Sequence, residues 1–236
     1  MTHPDFASAS ERLTVGVELG LPDFAGRIST SFNVKRYDAE MTDWAYKKIG
    51  YGDWLPPMEW RGLTPDEFAS VGIRPYDETQ HDDCNLVTQA GWVALLGGVA
   101  GTSITNKFSA TQGRIGVGTG ATAAAYANTT LVGDTGGASV TSYFQLVSGA
   151  PVISTGSSPP TLVLTASFAG GNANFAWAEF GSDNWNASGV TSTGLGASDI
   201  FFNRGVSAQG TKAAGQTWTA TETISFGFPS GAGTVS

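Results

Sequence analysis

The sequence predicts a mainly β protein: an antiparallel β-sandwich of jelly-roll type over residues 85–236, with one helix near its start, preceded by an irregular, partly helical N-terminal arm over residues 1–84. Three observations carry that expectation. Charge is partitioned, since residues 1–84 hold 15 acidic and 8 basic side chains while residues 85–236 hold only 5 and 4. Apolar residues in the second part recur with period 2 rather than 3.6, the mark of strands with one buried face. Clusters of Gly, Asn, Asp, Ser and Pro separate these runs, and 25 of the 32 glycines lie in this part, as a sandwich of short strands joined by turns requires.

The arm reads as extended segments and short helices broken by turns. From Asp38 to Lys48, Met41, Trp44 and Ala45 follow i, i+3, i+4 spacing, and Asp43 stands four residues before Lys47. This predicts a short amphipathic helix stopped by Gly50 and Gly52. Thr64, Pro65 and Glu67 match an N-cap, a first-turn proline and the acid of a capping box, with Gly72 as the stop. Between them Trp54, Leu55, Met58 and Trp60 surround Pro56 and Pro57 without periodicity. Large aromatic side chains anchor interfaces, so Trp44, Trp54, Met58 and Trp60 are the expected contacts of an attachment arm. The alternative is that the arm packs against its own second domain.

The second part opens with Asn85 as the expected N-cap of a helix carrying Leu86, Val87, Ala90, Val93 and Leu96 and ending at Gly97 and Gly98. Beyond it, Leu162, Leu164, Ala166 and Phe168 alternate with Val163, Thr165 and Ser167. Trp218, Ala220, Ile224 and Phe226 alternate in the same way with threonines and serines, and both runs are expected strands. Weaker strands fit 140–147, 175–180 and 200–207, separated by turns such as Gly170, Gly171 and Asn172.

Composition excludes several classes. A net charge of -8 and a pI near 4.6 argue against a nucleic-acid partner, which is held chiefly through Lys and Arg. The single cysteine, Cys84, forms no internal disulfide. No run reaches the roughly 18 apolar residues of a membrane span, and Asp5, Glu11, Arg12 and Glu18 interrupt any leader-like apolar centre. The expectation is a soluble chain made in the cytoplasm, with no membrane partner. The nearly uncharged second part has little repulsion to keep copies apart and is expected to self-associate, as a trimer.

Candidate chemistry is thin. Gly116, Val117, Gly118, Thr119 and Gly120, with Asp134 18 residues after Gly116, resemble a glycine-rich phosphate loop, but the dinucleotide fold needs alternating strands and helices that are not there. His81, Asp82, Asp83 and Cys84 are all possible zinc ligands, yet four consecutive positions cannot easily surround one ion. They read as a solvated hinge, and no metal or cofactor is expected. Glycoside cleavage would draw on Asp134, Glu179, Asp183, Asp199 or Glu222, and Trp177 and Trp185 beside Glu179 could contact a glycan. Glu179 and Glu222 instead sit in alternating strands where pairing with Arg204 or Arg114 would satisfy a buried charge. Residues 85–236 contain no histidine for Ser/His/Asp chemistry, and no catalytic residue is assigned.

Three segments carry a family resemblance: "NLVTQAGWVALLGG" from Asn85 running on to "RIGVGTGATAAAYANTTLVGD" at 114–134, "TLVLTASFAGGNANFAWAEFGSDN" at 161–184, and "NRGVSAQGTKAAGQTWTATETISF" at 203–226. Together they make the second part resemble structural proteins of tailed bacteriophages, especially of actinobacterial hosts. The resemblance implies a non-enzymatic minor capsid or head-decoration protein, located in the virion and assembled in the host cytoplasm. Its partners would be the major capsid protein, or tail proteins, together with copies of itself. A tail fibre or spike module that binds host-surface glycan is the alternative.

Overall fold

The computed structural model describes residues 27–50, 62–82, 85–101, 108–134, 141–154, 156, 160–184 and 199–227. Two antiparallel five-stranded sheets face each other. The first runs β2-β1-β10-β7-β6, from β1 (Arg27–Tyr37), β2 (Asp77–His81), β6 (Val152–Ser154), β7 (Thr161–Phe168) and β10 (Thr217–Gly227). The second runs β3-β9-β8-β4-β5, from β3 (Asn85–Val87), β4 (Gly113–Gly118), β5 (Ser142–Leu146), β8 (Ala176–Asn184) and β9 (Ile200–Thr211). Pairings are nested, chain ends outermost: β1 with β10, β3 with β9, β4 with β8.

The core lies between the sheets and follows strand alternation. Phe32 and Val34 of β1, Leu164, Ala166 and Phe168 of β7, and Trp218, Ala220 and Ile224 of β10 meet Ile115 and Val117 of β4, Trp177 and Phe180 of β8 and Phe202 of β9. Phe168, Phe180 and Trp218 each contact the Trp177 ring edge to face, with centroids 4.7 to 6.1 Å apart, the geometry that the ring quadrupole favours.

This arrangement corrects the expected division at residue 84. β1 pairs with β10 along its whole length, from Arg27 opposite Gly227 to Tyr37 opposite Thr217, and places Phe32 and Val34, both fully buried, in the common core. Without β1, the long alternating strand β10 would be left as a bare sheet edge. The described residues of 27–82 are therefore part of the sandwich, not an arm beside it, and the alternative in which this segment packs on its own second part describes them. Residues 1–26 lie outside the described residues.

Two of the three helices form where the sequence places them, and the third starts later. Helix α1 (Ala39–Ile49) starts at Asp38, whose side chain accepts from Met41 N, and stops at Gly50 with φ +99°. Helix α2 (Pro65–Ser70) has the full capping box of Thr64 and Glu67. Both lie over the outer face of the first sheet, where Tyr37 stacks on Phe68 at 3.6 Å and Ala45, Tyr46 and Leu63 complete a second small core. Helix α3 (Gln89–Val99) is capped by Thr88, not Asn85. The difference arises because Asn85–Val87 pair with β9 as strand β3, while the Thr88 hydroxyl accepts from Gly91 N and donates to the Phe201 carbonyl. Gly91 sits against β9 so closely that a Cβ there would lie 2.2 Å from the Phe202 oxygen.

Candidate functional site

Charges of the second part converge on its interior. On the outer face of the second sheet, Glu179 of β8 accepts from Gly120 N (2.9 Å) and Gly133 N (2.7 Å) through Oε1, and from Val132 N (2.9 Å) and Arg204 Nε (2.8 Å) through Oε2. Four donors fill the four acceptor positions of a carboxylate. Arg204 also donates to the Thr122 carbonyl at 2.8 Å. The pair thus fastens segment 119–134 over the sheet, with Leu131, Phe144 and Phe201 packed together as a small cluster. Gly118 and Gly120 are required beneath it, since a Cβ at either would lie 2.5 Å from Glu179 Oε1. The glycine-rich run 116–120 is therefore strand β4 and its exit, shaped to admit a carboxylate.

Four residues along β8, Asp183 takes both Arg114 Nε (3.0 Å) and Nη2 (2.5 Å), and Nη2 also reaches Asp199 at 2.7 Å. One guanidinium serves two carboxylates. Burial pushes the Asp183 carboxyl up to about 7 against the pull of Arg114, with Asp199 and Asp134 adding to the rise. Glu222 of β10 points into the core and has no basic partner among the described residues. It accepts from Asn203 Nδ2, and burial pushes it up to about 7. The expected pairing of Glu179 with Arg204 is present, whereas Glu222 pairs with an amide instead of an arginine. Lys212, which sequence reasoning passed over, is 1% exposed. Its ammonium donates to the Ala169 and Asn172 carbonyls, both at 2.9 Å, and to Asn174 Oδ1 at 2.7 Å, closing the turn between β7 and β8. Burial lowers its pKa to about 7.

These carboxylates do not form a hydrolytic pair. Glu179 and Asp183 stand four strand residues apart, roughly 13 Å, beyond the roughly 5 to 9.5 Å that glycoside cleavage uses, and both are fully buried. His81, expected in a hinge, is the last residue of edge strand β2 and meets Ser207 Oγ through Nδ1 at 2.8 Å. Sequence reasoning missed this contact because it searched only the second part for histidine. Gln209 Oε1 is occupied by donors from Arg36 and Thr79, so its amide nitrogen faces His81 Nε2. The His81 ring is thus held between Ser207 and Gln209. Among the described residues no group of three or more His, Cys, Asp or Glu is placed to hold a metal ion, and no helix is long and apolar enough to cross a membrane.

The expected contact residues are distributed unevenly. Trp44 on α1 is 44% exposed, with Lys48 Nζ 5.2 Å from its ring centroid. It borders a hollow with Asp38, Glu40, Met41 and Ile73. Trp177, expected as an exposed glycan contact, is instead buried: it is 1% exposed and its indole donates to the Ala173 carbonyl at 3.0 Å. The bulge in the β8–β9 pairing between Trp177 and Glu179 lets the ring turn inward although the carboxylate two residues on faces outward. Trp54, Met58, Trp60 and Trp185 lie outside the described residues. A polar groove of about 490 Å³ crosses the outer face of the first sheet, lined by Lys35, Asp66, Ser148 and the paired hydroxyls of Thr165 and Thr221.

Fold and site together define an antiparallel β-sandwich whose buried charges fasten the segments that cover its sheets. No protein-family model matches the chain, and neither does any curated protein or solved structure.

Proposed function

We propose that the chain is a non-enzymatic structural protein of a tailed-bacteriophage virion, a capsid-decorating module that presents a charged side to the shell and a neutral side to copies of itself. One observation carries this reading: among the described residues, exposed charge lies on one stretch of a single folded body. Glu40, Asp43, Lys47, Lys48, Asp66, Arg74, Asp77 and Glu78 are exposed, whereas no described charged residue after 84 is. Charged rims around an aromatic anchor such as Trp44 suit a protein partner, and the shell or tail protein would meet that side. A carboxylate saturated by three backbone donors and a guanidinium, as Glu179 is, suits a load-carrying part, not a reaction centre.

The test is copy number and position on purified particles, by quantitative mass spectrometry and cryo-electron microscopy. Hundreds of copies at regular sites on the head are expected. A handful at the tail tip would favour the second reading, a fibre or spike module, for which the polar groove beside Thr165 and Thr221 would be the glycan site. Absence from particles would overturn both.

A further inference from the structure

Helix α3 turns an apolar stripe outward. Val93 and Leu96 are exposed, in line with Gln89 at the helix start and Ala100 at its C-cap at i, i+4, i+7 and i+11, while Trp92 and Leu95 pack against the core. Val93 is 64% and Leu96 63% exposed. Leu86 on β3, which leads into the helix through Thr88, and Tyr126, whose carbonyl accepts from Gln89 N at 2.9 Å, are exposed as well. The helix contains no charged residue. Large apolar side chains left together on a surface mark an interaction site.

We infer that this face is where copies of the chain meet, α3 against α3 about a shared symmetry axis. The occupant follows from charge. A partner with charged side chains would have to bury them against a helix that carries no charge of its own, while every described charged residue after 84 is either buried or only partly accessible and already engaged within the fold, and an unpaired buried charge is costly. The same face of a second copy is neutral and apolar and carries no such cost. The chain has net charge -8, and like-charged copies repel, so contact through a face without charge is the least opposed. A symmetric assembly also needs a self-complementary patch, and one helix stripe supplies it. The inference rests on the reading of an assembled structural protein and names the surface through which that protein assembles.

The experiment is light scattering on the purified full chain at micromolar concentration. Wild type is expected at a multiple of 24.4 kDa, unchanged at high salt because no ion pair holds the contact. Leu96→Glu and, separately, Val93→Glu are expected to fall to the monomer mass with unaltered circular dichroism and melting, since both positions are exposed. Ile153→Glu, at a 69% exposed apolar position on the other sheet, is expected to keep the wild-type mass. If Leu96→Glu fails to fold, Leu96→Ser serves in its place. A monomeric wild type, or an oligomer that survives both α3 variants, would overturn the inference. Its failure stays distinct from failure of the virion reading: an α3-dependent oligomer absent from particles removes only the latter, and a particle protein whose Leu96→Glu form still self-associates removes only the former.

Discussion

The described residues of 27–82 and of 85–227 belong to one sandwich but handle charge in opposite ways. In the first stretch charges sit outside, as in the exposed Asp43–Lys47 pair at 2.7 Å, and of its described charged residues only Arg36 is buried. In the second, Arg114, Glu179, Asp183, Arg204, Lys212 and Glu222 are all buried. A composition boundary therefore need not be a domain boundary. Here it separates charges that face solvent or a partner from charges that tie loops to sheets.

The comparison can be broken at its strongest point by removing residues 1–84. The remaining chain would lack β1, β2 and both helices over the first sheet, and with them Phe32 and Val34 of the common core and all of the second small core, and we expect no cooperative unfolding transition in denaturant. A normal transition would restore the independent second domain. Next in size, Glu179→Ala leaves three backbone N–H groups and the Arg204 guanidinium without their acceptor. It is expected to cost about 3 to 5 kcal/mol in urea unfolding, and a loss below about 1 kcal/mol would show that the fastening is not energetic.

Glu222 gives a pH test. Its carboxyl is raised to about 7 from an ordinary 4.5, so the folded state binds the proton more tightly than the unfolded state. Its stabilising contribution is fully present below about 4.5 and is lost as pH rises through about 7. Relative to wild type, Glu222→Gln should therefore gain about 3 kcal/mol between pH 4.5 and pH 8. A stability difference constant across that window would mean Glu222 ionises freely. The smallest effect belongs to the outside charges: Lys47→Ala on α1 is expected to change stability by less than about 0.5 kcal/mol, measured by the same unfolding titration.

Much of this was legible. The spacing of Met41, Trp44 and Ala45 and the Thr64 and Glu67 box announced two helices because periodicity and capping are local chemistry, and β7 and β10 announced themselves by alternation. The arginine partner of Glu179 was legible too, because a carboxylate in a buried strand needs a cation. What was missed depended on contacts distant in sequence. Ile28, Thr30, Phe32 and Val34 alternate as clearly as β7 does, but the surrounding charge hid the strand, and only its pairing with β10 reveals its place. Gly116, Gly118 and Gly120 looked like a loop, since nothing local shows that Phe144 and Glu179 occupy the space a side chain would need. Trp177 looked exposed beside a carboxylate because period 2 fails at the bulge that follows it.

Hydrogen exchange on the intact protein, read by mass spectrometry, tests the shared sandwich most directly. Amides of β1, residues 27–37, pair with β10 in an interior position of the first sheet. They are expected to exchange as slowly as those of residues 217–227 and to lose protection in the same global transition. Exchange of residues 27–37 at free-chain rates while 217–227 stay protected would contradict the account.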